Sequence, residues 1–301
     1  MAAPNYSSLG FTTIIVTLDG PVLVVLLNRS KQRNSWNSVL PLELQKVFDL
    51  ADKDDRVRVV ILTAEHTAPA YCAGAELSGG WGTLWLPEEE KEGPHAHRDT
   101  GGKTSFAIYR CRKITIAAVN GHAAGVGMSA MQLPFDFRFV WAGAKLTFPF
   151  VRRGVVPEAT TSYLLPRLLG HSRANSLLLT GDTFPADSPL IQGLYHKILP
   201  TREEVFPAAL AFAQELAATT SQVSVAVTKG LIQHPGDSVE ENHIYDSRGM
   251  RELAQSADGE EGIRSFKEKR APKFTGTLSK DLGSWYPWWR ELSTKFRDTK
   301  L

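Results

Sequence analysis

The stretch Ile114-Thr-Ile-Ala-Ala-Val-Asn-Gly-His-Ala-Ala-Gly-Val-Gly127 decides the fold, because it joins an apolar strand to a turn of small residues. Residues 114–119 form a short, continuous apolar run, which is typical of a buried strand in a parallel sheet. The spacing of Gly121, Gly125 and Gly127 is not that of a dinucleotide-binding loop. The small residues instead allow the backbone to approach a ligand closely.

A turn of the same kind, Tyr71-Cys-Ala-Gly-Ala-Glu-Leu77, follows another apolar strand at 57–63. It is the first turn in chain order, and residues 121–127 form the second turn. The second turn also leads into a predicted helix at 128–133, whose opening N–H groups have no intrahelical acceptor. Two such N–H groups that converge on one oxygen form an oxyanion hole, which contributes about 3–4 kcal/mol per donor. The alternative is that both are ordinary tight turns.

Glu158 is the candidate proton-transfer residue. Pro157 suits the first turn of a helix, which we predict to run from there to Gly170. If Val155-Val156 and Phe150 surround the carboxyl group, poor solvation raises its pKa towards neutral pH. The alternative is a first-turn acid that is favoured only by the helix dipole.

Strands and helices alternate along the chain, which predicts an α/β protein with parallel strands and right-handed crossovers. Helices dominate after residue 200, so we expect a catalytic core at 1–200 and a helical region at 201–301. The aromatic cluster Tyr286-Pro-Trp-Trp289 could cover this chain's own core or a neighbouring subunit. Other predicted elements are a hairpin at 11–28, helices at 39–53, 105–112, 201–219, 221–232 and 238–269, and a strand at 137–141.

Composition excludes several classes of protein. The 301 residues are 43% hydrophobic with a net charge of only +2, which argues against disorder and against a general nucleic-acid binder. No apolar run is long enough to span a bilayer, and the N-terminus does not resemble a signal peptide. Cys72 and Cys111 suit a reducing compartment. His95 and His97 lack the further ligands of a metal site, so we expect no metal.

Three motifs together resemble the crotonase (enoyl-CoA hydratase/isomerase) superfamily: the 71–77 turn, the stretch 118–127 and the Glu158 stretch, in this order and at the separations of that superfamily. The resemblance runs from about Thr12 to Gly276. It implies a ββα spiral core, a helical C-terminal trimerisation region, and assembly as trimers or a dimer of trimers. It also implies an acyl-CoA thioester substrate, so that coenzyme A arrives with the substrate and no separate cofactor is needed.

The resemblance places the oxyanion-hole donors at the backbone N–H groups of Ala75 and Val126. Hydratases of this family usually have glycine where Val126 stands, but only the amide is required. We expect Lys31 and Arg33 to contact the phosphates of coenzyme A. The remaining predicted substrate contacts are Ala73, Gly74, Glu76, Leu77, Gly125 and Phe150.

The carboxylates distinguish the possible reactions. Hydration is helped by two acids, and the positions at which hydratases of the family carry them fall here at Ser129 or Ala130 and at Phe150. None of these can transfer a proton. The pattern Val156-Pro-Glu158 followed by Ser162-Tyr-x-x-Pro166 looks like the peroxisomal-type enoyl-CoA isomerases, in which this glutamate is the base.

We therefore expect an isomerase of fatty acid β-oxidation that converts a 3-enoyl-CoA to the conjugated trans-2-enoyl-CoA, with Glu158 as its single base. One alternative is a hydratase or dehydratase, including one of secondary metabolism, that uses Glu76 or an acid of the run Glu88-Glu-Glu90. Decarboxylases and thioester hydrolases also share the fold. A non-catalytic acyl-CoA binder would keep its affinity and be insensitive to changes at Glu158.

Thr299-Lys300-Leu301 resembles the C-terminal Ser-Lys-Leu peroxisomal signal, with the cytoplasm or mitochondrion as alternatives. We predict that a fluorescent protein fused to the N-terminus of the chain enters peroxisomes. The same fusion without the last three residues should stay outside them. A cytosolic signal from the full-length fusion would rule out this signal.

Overall fold

A computed structural model of the chain describes residues 3–84 and 96–294. The strands are β1 Ile14–Asp19, β2 Val22–Leu27, β3 Val59–Ala64, β4 Ala70–Cys72, β5 Ile114–Val119, β6 His122–Ala124, β7 Phe137–Trp141, β8 Lys145–Thr147, β9 Thr183–Pro185 and β10 Lys197–Leu199. The helices are α1 Leu40–Lys53, α2 Thr100–Arg110, α3 Thr161–Leu169, α4 His171–Thr180, α5 Arg202–Thr219, α6 Gln222–Gln233, α7 Val239–Ala254, α8 Ala257–Glu268 and α9 Leu278–Asp281.

The strands form two sheets that the chain visits in turn. The large sheet has the order β1-β2-β3-β5-β7-β10, and the small sheet has the order β4-β6-β8-β9. Each repeat adds one strand to the large sheet and one to the small sheet, as in β3 and β4, then β5 and β6, then β7 and β8. The repeats stack in parallel, which is the predicted ββα spiral.

Most predicted elements are confirmed. The N-terminal hairpin pairs Ile14 with Leu27 and Asp19 with Val22. Both faces of β3 and β5 are buried, as their apolar runs predict, because helix α5 packs on one face of the large sheet and the main core lies on the other. Helix α5 falls within the predicted 201–219 and opens with a Thr201/Glu204 capping box.

The helix predictions at 105–112 and 128–133 differ from the structure. Helix α2 begins at Thr100, five residues before the predicted start, because the Asp99 side chain caps it. No α-helix forms at 128–133; a 3-10 turn at 125–127 is followed by irregular turns. In this region the buried guanidinium of Arg138 donates hydrogen bonds to the carbonyl groups of Gln132 and Phe135, which would otherwise accept helical hydrogen bonds.

The aromatic cluster near the C-terminus covers this chain's own helices. The rings of Trp288 and Trp289 pack near Gly230 of α6, and Tyr245 of α7 stacks on Trp288 with 5.5 Å between centroids. The predicted division at residue 200 and the assembly into trimers stay predictions. Within the described residues, no helix is both long and apolar enough to cross a bilayer.

Glu43 of α1 joins this helix to the start of the hairpin. Its carboxylate accepts hydrogen bonds from the backbone N–H groups of Thr12 and Thr13, each at 2.8 Å, and from both hydroxyl groups. Burial alone would raise the pKa of Glu43, but these hydrogen bonds outweigh it and lower the pKa. The ionised form is therefore the one that stabilises the fold.

We predict that Glu43→Gln lowers the free energy of unfolding by about 1–3 kcal/mol at pH 7, because a charged acceptor is lost. A carboxyl group with a depressed pKa stabilises the fold above its unfolded pKa, and this contribution disappears as pH falls through the folded pKa. Urea unfolding at pH 7 and at about pH 3.5 should therefore show a difference that shrinks in acid. The exposed Glu215→Gln is the control, and a pH-independent difference would contradict the role of the charge.

Candidate active site

Glu158 lies in a sharp turn that precedes α3, and not in the first turn of a helix as the sequence predicted. Ala159 and Thr160 both adopt left-handed backbone conformations, with φ of 56° and 59°, and α3 begins only at Thr161. Such a conformation is strained for a β-branched residue. The Ser105 hydroxyl holds the turn by donating to the Ala159 carbonyl at 3.0 Å.

The turn directs the Glu158 carboxyl group against two polar side chains. The Ser129 hydroxyl donates to Glu158 Oε1 at 2.5 Å, and the Asp99 carboxylate is hydrogen-bonded to Glu158. The pKa of Glu158 rises to about 8, first because of burial and then because of the charge and hydrogen bond of Asp99. Ser129 opposes this rise. The predicted pKa elevation is thus supported, with a cause that the sequence did not show.

The apolar residues expected to raise this pKa contribute unequally. Val156 is 79% exposed, so the prediction that it shields the carboxyl group is wrong. Phe150 is buried in the main core, and Val155 packs against that core. The valine next to the proline points away because the chain leaves the 3-10 turn at 151–153 through Gly154, whose φ is +71°.

Asp99 is the functional candidate that the sequence analysis missed. It caps α2, accepts from the Gly102 N–H at 2.5 Å, and also accepts from the Ala159 N–H at 3.2 Å. The signal was present, since aspartate is a favoured N-cap residue. It was obscured because Gly101 and Gly102 follow, and glycine is a poor helix former.

Gly101 is required by the close approach of α2 to Glu158. A Cβ atom at this position would lie 1.8 Å from Glu158 Oε2, well inside contact distance. The absence of a side chain lets the first turn of α2 pass directly over the carboxyl group. The two glycines each weaken the helix by roughly 1 kcal/mol relative to alanine, so the first turn depends on external contacts.

The two predicted glycine turns lie side by side, since β4 and β6 are parallel neighbours. A Cβ atom at Gly74 would lie 3.2 Å from the Ala124 carbonyl oxygen, and one at Gly127 would lie 2.5 Å from that of Cys72. Gly74 and Gly125 have φ of +98° and +52°. Glycine is required at Gly127 by close packing and at Gly125 by a left-handed backbone. At Gly74 it is required for both reasons.

The proposed oxyanion donors, Ala75 and Val126, lie on these turns. Neither N–H donates to a turn or loop carbonyl within residues 3–84 and 96–294. The Ser129 hydroxyl is 3.2 Å from the Gly125 carbonyl oxygen, and this side chain also contacts Glu158. One serine therefore joins the acid to the second turn. The oxyanion hole itself stays a prediction.

Other predicted substrate contacts line the edge of this region. Ala73 and Leu77 are exposed, and Glu76 forms an ion pair with Arg29 at 2.7 Å. This pairing makes Glu76 a poor candidate for the second acid. Glu88 to Glu90, the other suggested source, lie outside the described residues.

Lys31 and Arg33 are exposed next to the first turn, because the Arg33 carbonyl accepts from the Ala73 N–H at 3.1 Å. This position is compatible with their predicted role towards the phosphates of coenzyme A, which stays a prediction. Within the described parts of the chain, no cluster of histidine, cysteine and acidic residues could hold a metal ion. His95 lies outside them.

The positions at which hydratases of the family carry their acids hold no carboxylate here, as the sequence analysis stated. Ala130 and Phe150 are buried, and Ser129 faces Glu158. The sequence predicted no second acid beside Glu158, but Asp99 reaches it from a different element. That Glu158 acts as a single base stays a prediction. The tertiary structure therefore supplies a carboxylate pair that the known positions do not reveal.

Comparisons with known proteins identify the family. The sequence profile of the family "Enoyl-CoA hydratase/isomerase" matches residues 18–277. An enoyl-CoA hydratase of Alternaria alternata is 38% identical over 93% of this chain and 92% of that protein. A mevalonyl-coenzyme A hydratase of Beauveria bassiana is 32% identical over 83% of this chain and 90% of that protein.

The fold is also found among solved structures. A probable enoyl-CoA hydratase/isomerase from Mycobacterium abscessus superposes with a TM-score of 0.77 at 32% identity, covering 89% of this chain and 100% of that one. The spiral of two sheets, the paired glycine turns and the buried acid thus occur on a scaffold that these proteins share. The chain belongs to the enoyl-CoA hydratase/isomerase family, the crotonase superfamily.

Proposed function

We propose that this protein is an enoyl-CoA hydratase, which adds water to a 2-enoyl-CoA and in reverse dehydrates a 3-hydroxyacyl-CoA. The observation that carries this proposal is the juxtaposition of Asp99 and Glu158 beside the two glycine turns. Asp99 accepts from the N–H of Ala159, which directly follows Glu158, and Ser129 joins Glu158 to the second turn. Hydration requires one group to take a proton from water and another to donate one to carbon. Relatives named as hydratases support the same reaction.

The environments of Asp99 and Glu158 suit them to different roles, one as base and the other as acid. Asp99 accepts two backbone N–H groups and lies at the positive end of the α2 dipole, which stabilises its negative charge. Glu158, with a pKa of about 8, keeps its proton at neutral pH. Asp99 is therefore the base that activates water, and Glu158 is the acid.

The reaction follows from these roles. As Asp99 takes a proton from water, the water oxygen forms a bond to Cβ of the substrate. The electron pair of the double bond moves through Cα to the thioester oxygen, where the N–H groups of Ala75 and Val126 stabilise the enolate. Glu158 then gives its proton to Cα. The proton now on Asp99 returns to Glu158 through their hydrogen bond, which restores the starting state.

Isomerisation of a 3-enoyl-CoA is the second candidate, and the Ser129–Glu158 contact favours it. A hydroxyl group that donates to Glu158 stabilises the ionised carboxylate, which is the form that could take a proton from Cα and return it to Cγ. In that reaction Glu158 acts alone. The two candidates therefore require opposite protonation states of one residue.

We predict that Asp99→Asn lowers hydration by about 10²-fold or more, because the base is lost. Glu158→Gln should lower both hydration and isomerisation by at least ~10²-fold, while acyl-CoA affinity changes far less. Both rates are measured with purified variants on 2-enoyl-CoA and 3-enoyl-CoA of several chain lengths. The exposed Asp187→Asn serves as the control. Hydration by Asp99→Asn within a few-fold of wild type would contradict the proposal.

We also predict the direction of the pH dependence. If Glu158 is the acid, kcat/KM for hydration falls as pH rises through about 8, because its proton is lost. If Glu158 is the base of an isomerase, the isomerisation rate rises over the same range. Rates between about pH 6 and pH 9.5 distinguish the two roles.

Gly101→Ala tests the geometry of the pair. The new methyl group would displace the Glu158 carboxyl group, and misplacement by about 1 Å can cost ~10²-fold in rate. The melting temperature should not fall comparably, since alanine is the better helix former. Gly262→Ala in α8 is the matched control, because its Cβ would meet only Phe274 at 3.9 Å. Unchanged turnover in Gly101→Ala would show that the close approach is not needed.

A further inference from the structure

The segment Trp285–Thr294 extends beyond residue 277, where the match to the family ends, and it is anchored on α6. The Trp289 ring stacks on His234, with centroids 3.9 Å apart and planes inclined by 11°. The Trp288 indole donates to the His234 carbonyl at 3.1 Å. Gly230 leaves the space for these rings, since a Cβ there would lie 3.0 Å from Trp288.

The end of α6 is in turn joined to the last turn of α2. The Gln233 amide donates to the Tyr109 carbonyl at 3.0 Å, and the Tyr109 hydroxyl donates to the Gln233 carbonyl at 3.3 Å. The Tyr109 ring also meets the His234 ring edge-on, with 6.2 Å between centroids. The stack of Trp289 on His234 therefore supports the contact that fixes the C-terminal end of α2.

The same segment reaches the other end of α2. The Arg98 guanidinium donates through Nε to the Thr294 carbonyl at 2.8 Å. Arg98 directly precedes Asp99, which caps α2 and contacts Glu158. Because Gly101 and Gly102 weaken this first turn, an external contact at Arg98 has a large influence on where the turn lies.

We propose that the segment Trp285–Thr294 is a positioning element of the active site, which holds α2 at both ends and thereby keeps Asp99 against Glu158. The expected effect of this segment on turnover rests on the proposed function. Its expected effect on the position of α2 does not. The contacts described above connect this segment to the carboxylate pair through α2. Trp289 and Arg98 are the positioning residues.

The experiment compares Trp289→Ala with wild type, with Trp289→Phe as the conservative variant. Ile232→Ala is the control, because this α6 side chain is 75% exposed. Hydrogen–deuterium exchange of residues 100–110 reports the coupling without any turnover. The melting temperature, kcat, KM and the pH dependence of turnover are measured on the same four proteins.

We expect faster exchange at residues 100–104 in Trp289→Ala and a fall in kcat of about 10- to 100-fold, with KM altered far less. The charge of Asp99 raises the pKa of Glu158, so separating the two should move the alkaline limb of hydration to lower pH. Trp289→Phe should largely restore all three properties, since it keeps a stacking ring.

A lower melting temperature with unchanged exchange at 100–104 and unchanged kcat would overturn the inference, because the segment would then have only a general structural role. Failure of the proposed function is seen separately, as a wild-type protein without hydratase activity. In that case the exchange of α2 and the isomerisation rate still test the positioning role. Faster exchange in the control Ile232→Ala to the same extent would also overturn the inference.

Discussion

The active site depends on the contact between two carboxyl groups, Asp99 and Glu158. Two carboxylates at hydrogen-bonding distance cannot both be ionised without strong repulsion, so such a pair holds one proton between them. Burial makes the repulsion stronger, since little water is present to screen it. Burial of Glu158 first, and then the charge and hydrogen bond of Asp99, raise the pKa of Glu158 to about 8. The pair thus contains an acid and a base side by side at neutral pH.

The backbone around this contact is shaped to permit it. Ala159 and Thr160 adopt left-handed conformations, and Gly101 lacks the side chain that would collide with Glu158. Each of these features costs local free energy, of the order of 1–3 kcal/mol for a strained residue. The contacts of Asp99 with the N–H groups of α2 and of the Glu158 turn offset part of this cost. The cost indicates that the geometry serves the chemistry rather than stability.

The spiral arrangement places this pair beside the two glycine turns. Because β4 and β6 are adjacent and parallel, the turns that follow them are packed together. Ser129, which follows the second turn, contacts Glu158 directly. A thioester bound at the turns would therefore present its carbon atoms to the carboxylate pair. The two proposed reactions require different protonation states of Glu158.

The sequence determined much of the fold and part of the site. Apolar runs predicted β3 and β5, and the spacing of glycines predicted both turns. Both were predictable because a buried strand and a left-handed backbone depend on the types of a few adjacent residues. Glu158 was identified for a similar reason, from the motif around it. The start of α3 was not predicted correctly, because two non-glycine residues with positive φ interrupt a sequence pattern that otherwise favours a helix.

Only the tertiary structure decided that a second acid exists. Asp99 and Glu158 are separated by 59 positions in the sequence and belong to different elements, and neither residue carries a local sign of the other. Their contact arises because α2 packs against the turn before α3, which depends on the whole spiral. The sequence therefore determined the scaffold, both glycine turns and one acid. The pairing of the acids depended on long-range packing, which no local pattern specifies.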